Sequence, residues 1–233
     1  MIHNLEANLS FLLGFVEARD WSAFEWFALS NPDMYKCISN AICECAEVFN
    51  GMTLLHACVR YDPPVSLLLK MIELHPEAIR RVDCIGRTPL HVAAGSGVSP
   101  LVVQVLTKAY PQACNIQDND GRTPLHFACD SSCELFEANE ENSSRGPPCL
   151  DTIRVILSGS LDAVTLEDSD EMNALEYALL SDAPIELITF LQRTMQRVIR
   201  MKQKQMKSSP SNMTKPLRSC STTATSQRIR VPL

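Results

Sequence analysis

A motif of eight or nine residues recurs along this chain at a constant distance of 35 residues. It begins as GMTLLHAC at Gly51, as GRTPLHVAA at Gly86 and as GRTPLHFAC at Gly121. The match extends beyond the motif, because His75-Pro76-Glu77-Ala78 aligns with Tyr110-Pro111-Gln112-Ala113. A period of this length predicts a solenoid, in which no unit buries its own apolar face and each unit packs on its neighbours.

Two weaker units flank these three copies. The segment SDEMNALEYA from Ser169 aligns with the Gly121 copy at an offset of 50 residues, and the extra residues, Glu134–Pro148, are acidic and then rich in Ser, Gly and Pro. That composition predicts an inserted loop. Trp21–Leu29 has a helical apolar pattern but lacks Thr-Pro-Leu-His, as expected of a terminal cap. The predicted units are a capping repeat at 1–50, repeats at 51–85, 86–120, 121–170 (insertion 134–148) and a degenerate repeat at 171–200, and a tail at 201–233.

Each unit contains the signals for two helices and a turn. Thr88 is suited to capping a helix, and Pro89 suits the first helical position, where no N–H is needed. Ser99-Pro100 starts a second, strongly apolar helix, which Pro111 ends. The polar residues that follow predict a short hairpin. In this register Leu90 and Leu125 point into the interfaces between helices.

A helix pair with a projecting hairpin that carries T-P-L-H-x-A resembles the ankyrin repeat, over about Leu9 to Arg200. The period is two residues longer than the common unit, and the Pro-x-Ala stretch resembles a variant found in many protist ankyrin proteins. The resemblance implies an all-α solenoid with hairpin fingers that binds another protein on a concave surface and catalyses nothing. The partner-binding positions that it implies, on hairpins and first helices, are Met52, Arg60, Cys84, Ile85, Arg87, Gly95, Asn119, Asp120, Arg122 and Asp130.

Two of these positions suggest how a partner is held. Arg87 and Arg122 are aligned one repeat apart, so their guanidinium groups are expected to project from neighbouring fingers and to clamp carboxylates on a partner. The alternative is internal neutralisation, because Asp118 and Asp120 lie close by in the sequence.

His56, His91 and His126 recur at the repeat period and allow two interpretations. A metal ladder is unfavourable, because helices of adjacent repeats lie roughly 10 Å apart and bonds to zinc are about 2 Å long. The resemblance implies instead that these side chains hydrogen-bond backbone and connect neighbouring repeats. His126, Cys129 and Cys133 have helical spacing that suits three zinc ligands, but the repeat already accounts for the first two.

The sequence lacks the usual catalytic motifs. Gly95-Ser96-Gly97 is an incomplete dinucleotide loop, and there is no G-x-S-x-G, H-E-x-x-H or P-loop. We therefore expect no enzymatic activity, no cofactor and no small-molecule substrate.

Charge is distributed unevenly along the chain. All 27 acidic residues precede Arg193, whereas ten of the 21 Lys and Arg residues lie in Arg193–Leu233. The basic segment is consistent with a solvated helix end followed by a disordered tail, or with an adaptor whose tail contacts nucleic acid or an anionic membrane. The ten cysteines show no C-x-x-C pair, and several replace Ala or Val of a neighbouring copy. This pattern, without a signal peptide, favours a reducing location in the cytoplasm, with the nucleus as the alternative.

Overall fold

The computed structural model describes residues 2–44, 51–132 and 147–208. Within these ranges the chain forms eleven α-helices and three short 3-10 turns, and no β-strand. The helices are α1 Ile2–Glu17, α2 Trp21–Ser30, α3 Pro32–Glu44, α4 Leu54–Val59, α5 Val65–Leu74, α6 Pro89–Gly95, α7 Pro100–Ala109, α8 Pro124–Cys129, α9 Leu150–Gly159, α10 Ala174–Leu180 and α11 Ile185–Ser208. The 3-10 turns are Pro76–Arg80, Pro111–Asn115 and Leu161–Thr165. The prediction of an all-α repeat fold is confirmed.

The helices stack in two layers. The inner helices α4, α6, α8 and α10 pack on one another in order, and the outer helices α5, α7 and α9 do the same. Leu90 and Leu125, on α6 and α8, are 2% and 0% exposed and belong to one apolar core. This stacking is expected, because an inner helix of six or seven residues cannot be stable without neighbours.

The start of each inner helix is specified by its motif. Thr53, Thr88 and Thr123 have extended backbones and cap the helices that follow them. Pro89 and Pro124 occupy the first helical position, where their missing N–H costs no hydrogen bond. The outer helices α5 and α7 end two residues before Pro76 and Pro111, since the residue directly before a proline avoids the helical conformation.

The N-terminal helices repeat part of this architecture. The turn between the paired helices contains a residue with positive φ at Arg19, Asp62, Gly97 and Asp182. Helix α1 also packs on α4, as one inner helix does on the next. The region predicted as a capping repeat, 1–50, therefore contains a helix pair of the repeat type followed by α3. Residues 45–50 lie outside the described residues.

Helix α11 is longer than predicted from the sequence. The predicted disordered tail begins at residue 201, but the helix continues to Ser208, so residues 201–208 are helical. The helix is anchored just before this extension by the buried Val198, and within it Lys202 Nζ lies 3.0 Å from Asp162 Oδ1 on the 3-10 turn Leu161–Thr165. Residues 209–233 of the predicted tail, and residues 134–146 of the predicted insertion, lie outside the described residues.

Candidate functional site

The loops between repeats form tight fingers, and a backbone hydrogen bond joins the two ends of each described finger. The N–H of Asp83 donates to the carbonyl of Arg87 at 2.9 Å, and Asp118 donates to Arg122 in the same way. In the last finger Asp168 donates to Met172, and an antiparallel bridge joins Glu167 and Asn173. The predicted hairpins are thus turns that are too short to form strands in the described chain.

An aspartate organises each finger from within. Asp83 Oδ1 accepts hydrogen bonds from the N–H groups of Ile85 and Arg87 at 3.1 and 2.8 Å. Asp118 and Asp168 make the same pair of bonds in their own fingers. The alignment of these three aspartates was visible in the sequence, yet it did not reveal that they fix the loop conformation.

Successive fingers are bonded to each other through their backbones. The N–H of Asn119 donates to Ile85 O, and the N–H of Ser169 donates to Asp120 O, both at 2.9 Å. Gly86 and Gly121 have φ near +80°, and a Cβ on either would lie 2.9 Å from an atom of the next finger. Glycine is therefore required by both conformation and space, and the fingers form one continuous row.

The exposed side chains at the finger tips differ in chemical character from one finger to the next. Apolar and sulfur-bearing side chains occupy the first described tip, where Ile85 is 37% exposed and Cys84 is also exposed. Asn119 and Asp120 are exposed on the next tip, and Asp170 is exposed on the last. The structure therefore places four of the ten sequence-predicted partner-binding residues together on one accessible surface.

The predicted arginine clamp is not formed. Arg87 is only 7% exposed, because its Nε donates to Asp83 Oδ2 at 2.7 Å. Arg122 lies over the Phe127 ring at 4.6 Å and forms an ion pair with Asp120 at 3.2 Å. The expectation that both guanidinium groups project outward is wrong, because acceptors within their own fingers and an aromatic face draw them back.

The other predicted positions are less accessible. Asp130 is 9% exposed, and its carboxylate accepts hydrogen bonds from the N–H and hydroxyl of Ser132. Gly95 is buried in α6. Met52 and Arg60 are half-buried, and the Arg60 guanidinium lies over the Tyr61 ring.

The histidine column bridges neighbouring repeats. Nδ1 of His56 accepts a hydrogen bond from the Thr53 N–H at 3.1 Å, so Nε2 carries the proton and donates to Arg87 O in the next finger at 3.0 Å. His91 donates in the same way to Arg122 O, and His126 donates to Met172 O, both at 3.1 Å. Each of the three column histidines thus joins the cap of its own helix to the finger that follows.

Burial keeps these rings neutral. Desolvation lowers the pKa of His56 to about 4 and that of His91 to about 3, and it also lowers the pKa of His126. A neutral ring is the form that this network requires, because Nδ1 accepts while Nε2 donates.

A metal site was the alternative interpretation of these histidines. Within the described residues no group of three His, Cys, Asp or Glu side chains could hold a metal ion. Cys133, one of the three ligands in that interpretation, lies outside the described residues. His126 Nε2 already donates a hydrogen bond to Met172 O.

Two further findings concern the buried cysteine side chains and the length and apolar character of the helices. Cys58, Cys114 and Cys129 are buried and form no disulfide in the described chain, and Cys58 and Cys129 occupy positions where neighbouring repeats carry alanine. No helix within the described ranges combines the length and apolar character needed to cross a bilayer.

Comparison with known proteins identifies the repeat. The family model for ankyrin repeats, in three copies, matches residues 66–138. A search of curated proteins finds no significant match. The matched segment contains α6, α7 and α8, two fingers and two of the three column histidines. This match and the stacked helix pairs together show that the chain contains ankyrin repeats.

Proposed function

We propose that this chain is a non-enzymatic scaffold that binds another protein through its row of finger tips and the adjoining inner helices. Ankyrin repeats are generally protein–protein interaction modules and are typically non-catalytic. The observation that carries the proposal is the backbone bonding from finger to finger, which presents the exposed tips as one rigid surface.

Rigidity matters because binding costs conformational entropy. A surface whose loops are already fixed loses less freedom when a partner binds than a surface of independent loops. The internal aspartates and the finger-to-finger bonds provide this preorganisation for Ile85, Asn119 and Asp120. Loops held on a rigid scaffold are also where binding residues commonly occur.

The chemistry of the row indicates which contacts a partner makes. Ile85 and Val82, 37% and 45% exposed, offer apolar area at one end. Asp120 and Asp170 are exposed at the other end. We expect a partner to bury an apolar side chain against the first described tip and to place polar or basic groups near the later tips.

Site-specific photocrosslinking tests this surface. A photoreactive residue at position 85 or 120 of the full chain should crosslink the same protein from a lysate, in a saturable manner. The matched control is position 101, because Leu101 is 62% exposed on the outer helix α7. Equal crosslinking of one partner from position 101, or no saturable adduct from positions 85 and 120, would contradict the proposed surface.

A further inference from the structure

The exposed side of α11 carries a stripe of unneutralised cations. Arg193, Arg197, Arg200 and Lys204 are exposed and are spaced by four, three and four residues, so they share one face of the helix. No acidic residue occurs in the chain beyond Glu186. This face is opposite in sign to a chain whose formal net charge is −6.

Other cations near this face are paired, whereas the stripe is not. Lys202 lies 3.0 Å from Asp162, and Arg154 lies 3.1 Å from Asp151. None of the four stripe residues makes an ion pair with another residue in the described part of the chain. The charge on the stripe is therefore available to a ligand.

An apolar groove adjoins the N-terminal end of the stripe. It has a volume of about 340 Å³ and lies between α9 and α11, where Leu150, Ile185 and Phe190 provide its apolar surface and Glu186 and Thr189 also line it. Ile185 is 68% exposed, and the Arg154 guanidinium lies over the Phe190 ring at 5.6 Å. Arg193 borders both this groove and the concave strip along the stripe.

We propose that this surface binds an extended acidic segment of a partner protein that begins with one large apolar side chain. The apolar side chain enters the groove, and the carboxylates that follow it lie along the four cations. Residues 193 to 204 span roughly 16 Å of helix, which is the length of about five extended residues. The cations thus match the carboxylates of a short peptide in both sign and reach.

Two other anionic ligands fit the surface less well. A nucleic acid binds by stacking its bases on open aromatic faces, but the Arg154 guanidinium occupies a face of the Phe190 ring. An anionic membrane requires the apolar side of the helix, but Leu187, Leu191 and Val198 on that side are buried against the protein. The surface lies on the outer layer, so the inference does not depend on the finger row.

Fluorescence anisotropy on the full chain tests the charge contacts. The probe is a labelled peptide with one Phe followed by five Glu. We expect Arg197→Gln combined with Arg200→Gln to weaken its binding at least tenfold and to reduce the salt dependence, because two ion pairs are lost. The matched control replaces two exposed cations elsewhere, Arg81→Gln with Lys108→Gln, and should change affinity less than twofold.

A second pair of variants tests the groove. Ile185→Ser should weaken binding of the Phe peptide three- to tenfold and should leave a peptide with Ser in place of Phe unaffected. Leu101→Ser is the control, because Leu101 is 62% exposed on another outer helix. All these side chains are exposed, so thermal melts should stay unchanged and any loss of affinity is local.

Three results would overturn the proposal. The first is that the labelled peptide shows no binding when the protein is present at 100-fold the concentration of the peptide. The second is equal affinity for the Phe and Ser peptides, which would remove the groove from the site. The third is tighter binding of a duplex oligonucleotide or of anionic phosphatidylserine vesicles that is insensitive to Ile185→Ser, which would assign the stripe to polyanions in general.

Discussion

The repeat at the centre of the solenoid and the last described repeat have the same kind of helix pair, but no further repeat packs against the last one in the described part of the chain. His91 in α6 donates to Arg122 O of the next finger, whereas Glu176 at the aligned position in α10 accepts a hydrogen bond from the N–H of its own cap, Asn173. Leu125 in α8 is 0% exposed, whereas the aligned Leu175 is only partly buried. The residues that recur in the motif are thus mainly those that face the next repeat.

The fingers show the same difference. Gly86 and Gly121 leave room for the finger that follows, whereas Glu171 takes the aligned position in the last finger with φ +60°. A side chain is tolerated there because no further finger lies against it in the described chain. The cost that remains is the backbone conformation itself, which only glycine adopts easily.

The largest expected difference between the two repeats concerns the aligned leucines. Leu125→Ala should lower the free energy of unfolding by about 2–5 kcal/mol, because it leaves a cavity in a filled interface. Leu175→Ala should cost clearly less, since part of that side chain is already in contact with water. Urea unfolding of both variants measures the difference, and equal losses would contradict the proposed role of the neighbouring repeat.

Acid should weaken the histidine bridge. The pKa of His56 is about 4 in the folded chain and 6.5 is its ordinary value, so the unfolded chain binds the proton first as the pH falls. Stability is therefore fully present above pH 6.5 and decreases through the window from about 6.5 to 4. The decrease due to His56 should be roughly 2–3 kcal/mol between pH 7.5 and 4.5.

The histidine contribution is isolated by comparing variants. His56→Gln should lose less stability than the unaltered chain over the same pH interval, because Gln does not titrate. Glu176→Gln in the last repeat should retain the histidine-dependent part of the loss, because the column histidines are unchanged. A pH slope of His56→Gln identical to that of the unaltered chain would show that the ring does not stay neutral when folded.

The arginines of the first two described fingers should also differ in how much they contribute to stability. Arg87→Ala should cost about 1–3 kcal/mol, because it leaves the buried Asp83 carboxylate without its partner. Arg122→Ala should cost less, since its side chain is 25% exposed and its Nε is 3.6 Å from Asp118, beyond hydrogen-bond range. Thermal melts of the two variants decide this, and equal melting temperatures would mean that burial of the Arg87 pair contributes nothing.

Much of the fold was predictable because its signals are local and repeated. Thr88-Pro89 and the 35-residue period specify where helices start and how often. The projection of Arg87 was predicted wrongly, because its direction depends on a carboxylate that lies beside it only after the finger has folded. The basic stripe was visible as charges, but the groove beside it requires α9 and α11 to come together in space.

The smallest expected effect comes from the last finger. Glu171→Gly should raise the stability by about 0.5 kcal/mol, because relief of a left-handed conformation is worth about 1–2 kcal/mol and the greater freedom of glycine in the unfolded chain removes about 0.5–1 kcal/mol of that gain.

The reverse change, Gly121→Ala in the preceding finger, should destabilise the chain by more than 1 kcal/mol. It imposes the same backbone strain at φ +78° and also brings a Cβ within 2.9 Å of the backbone nitrogen of Ser169. The two changes separate conformational strain, which both positions share, from contact with a following finger, which only Gly121 has. Chemical denaturation of both variants makes the comparison. If Glu171→Gly instead destabilised the chain as much as Gly121→Ala does, the Glu171 side chain would have a stabilising contact that outweighs its strain, and the last finger would not be a free end.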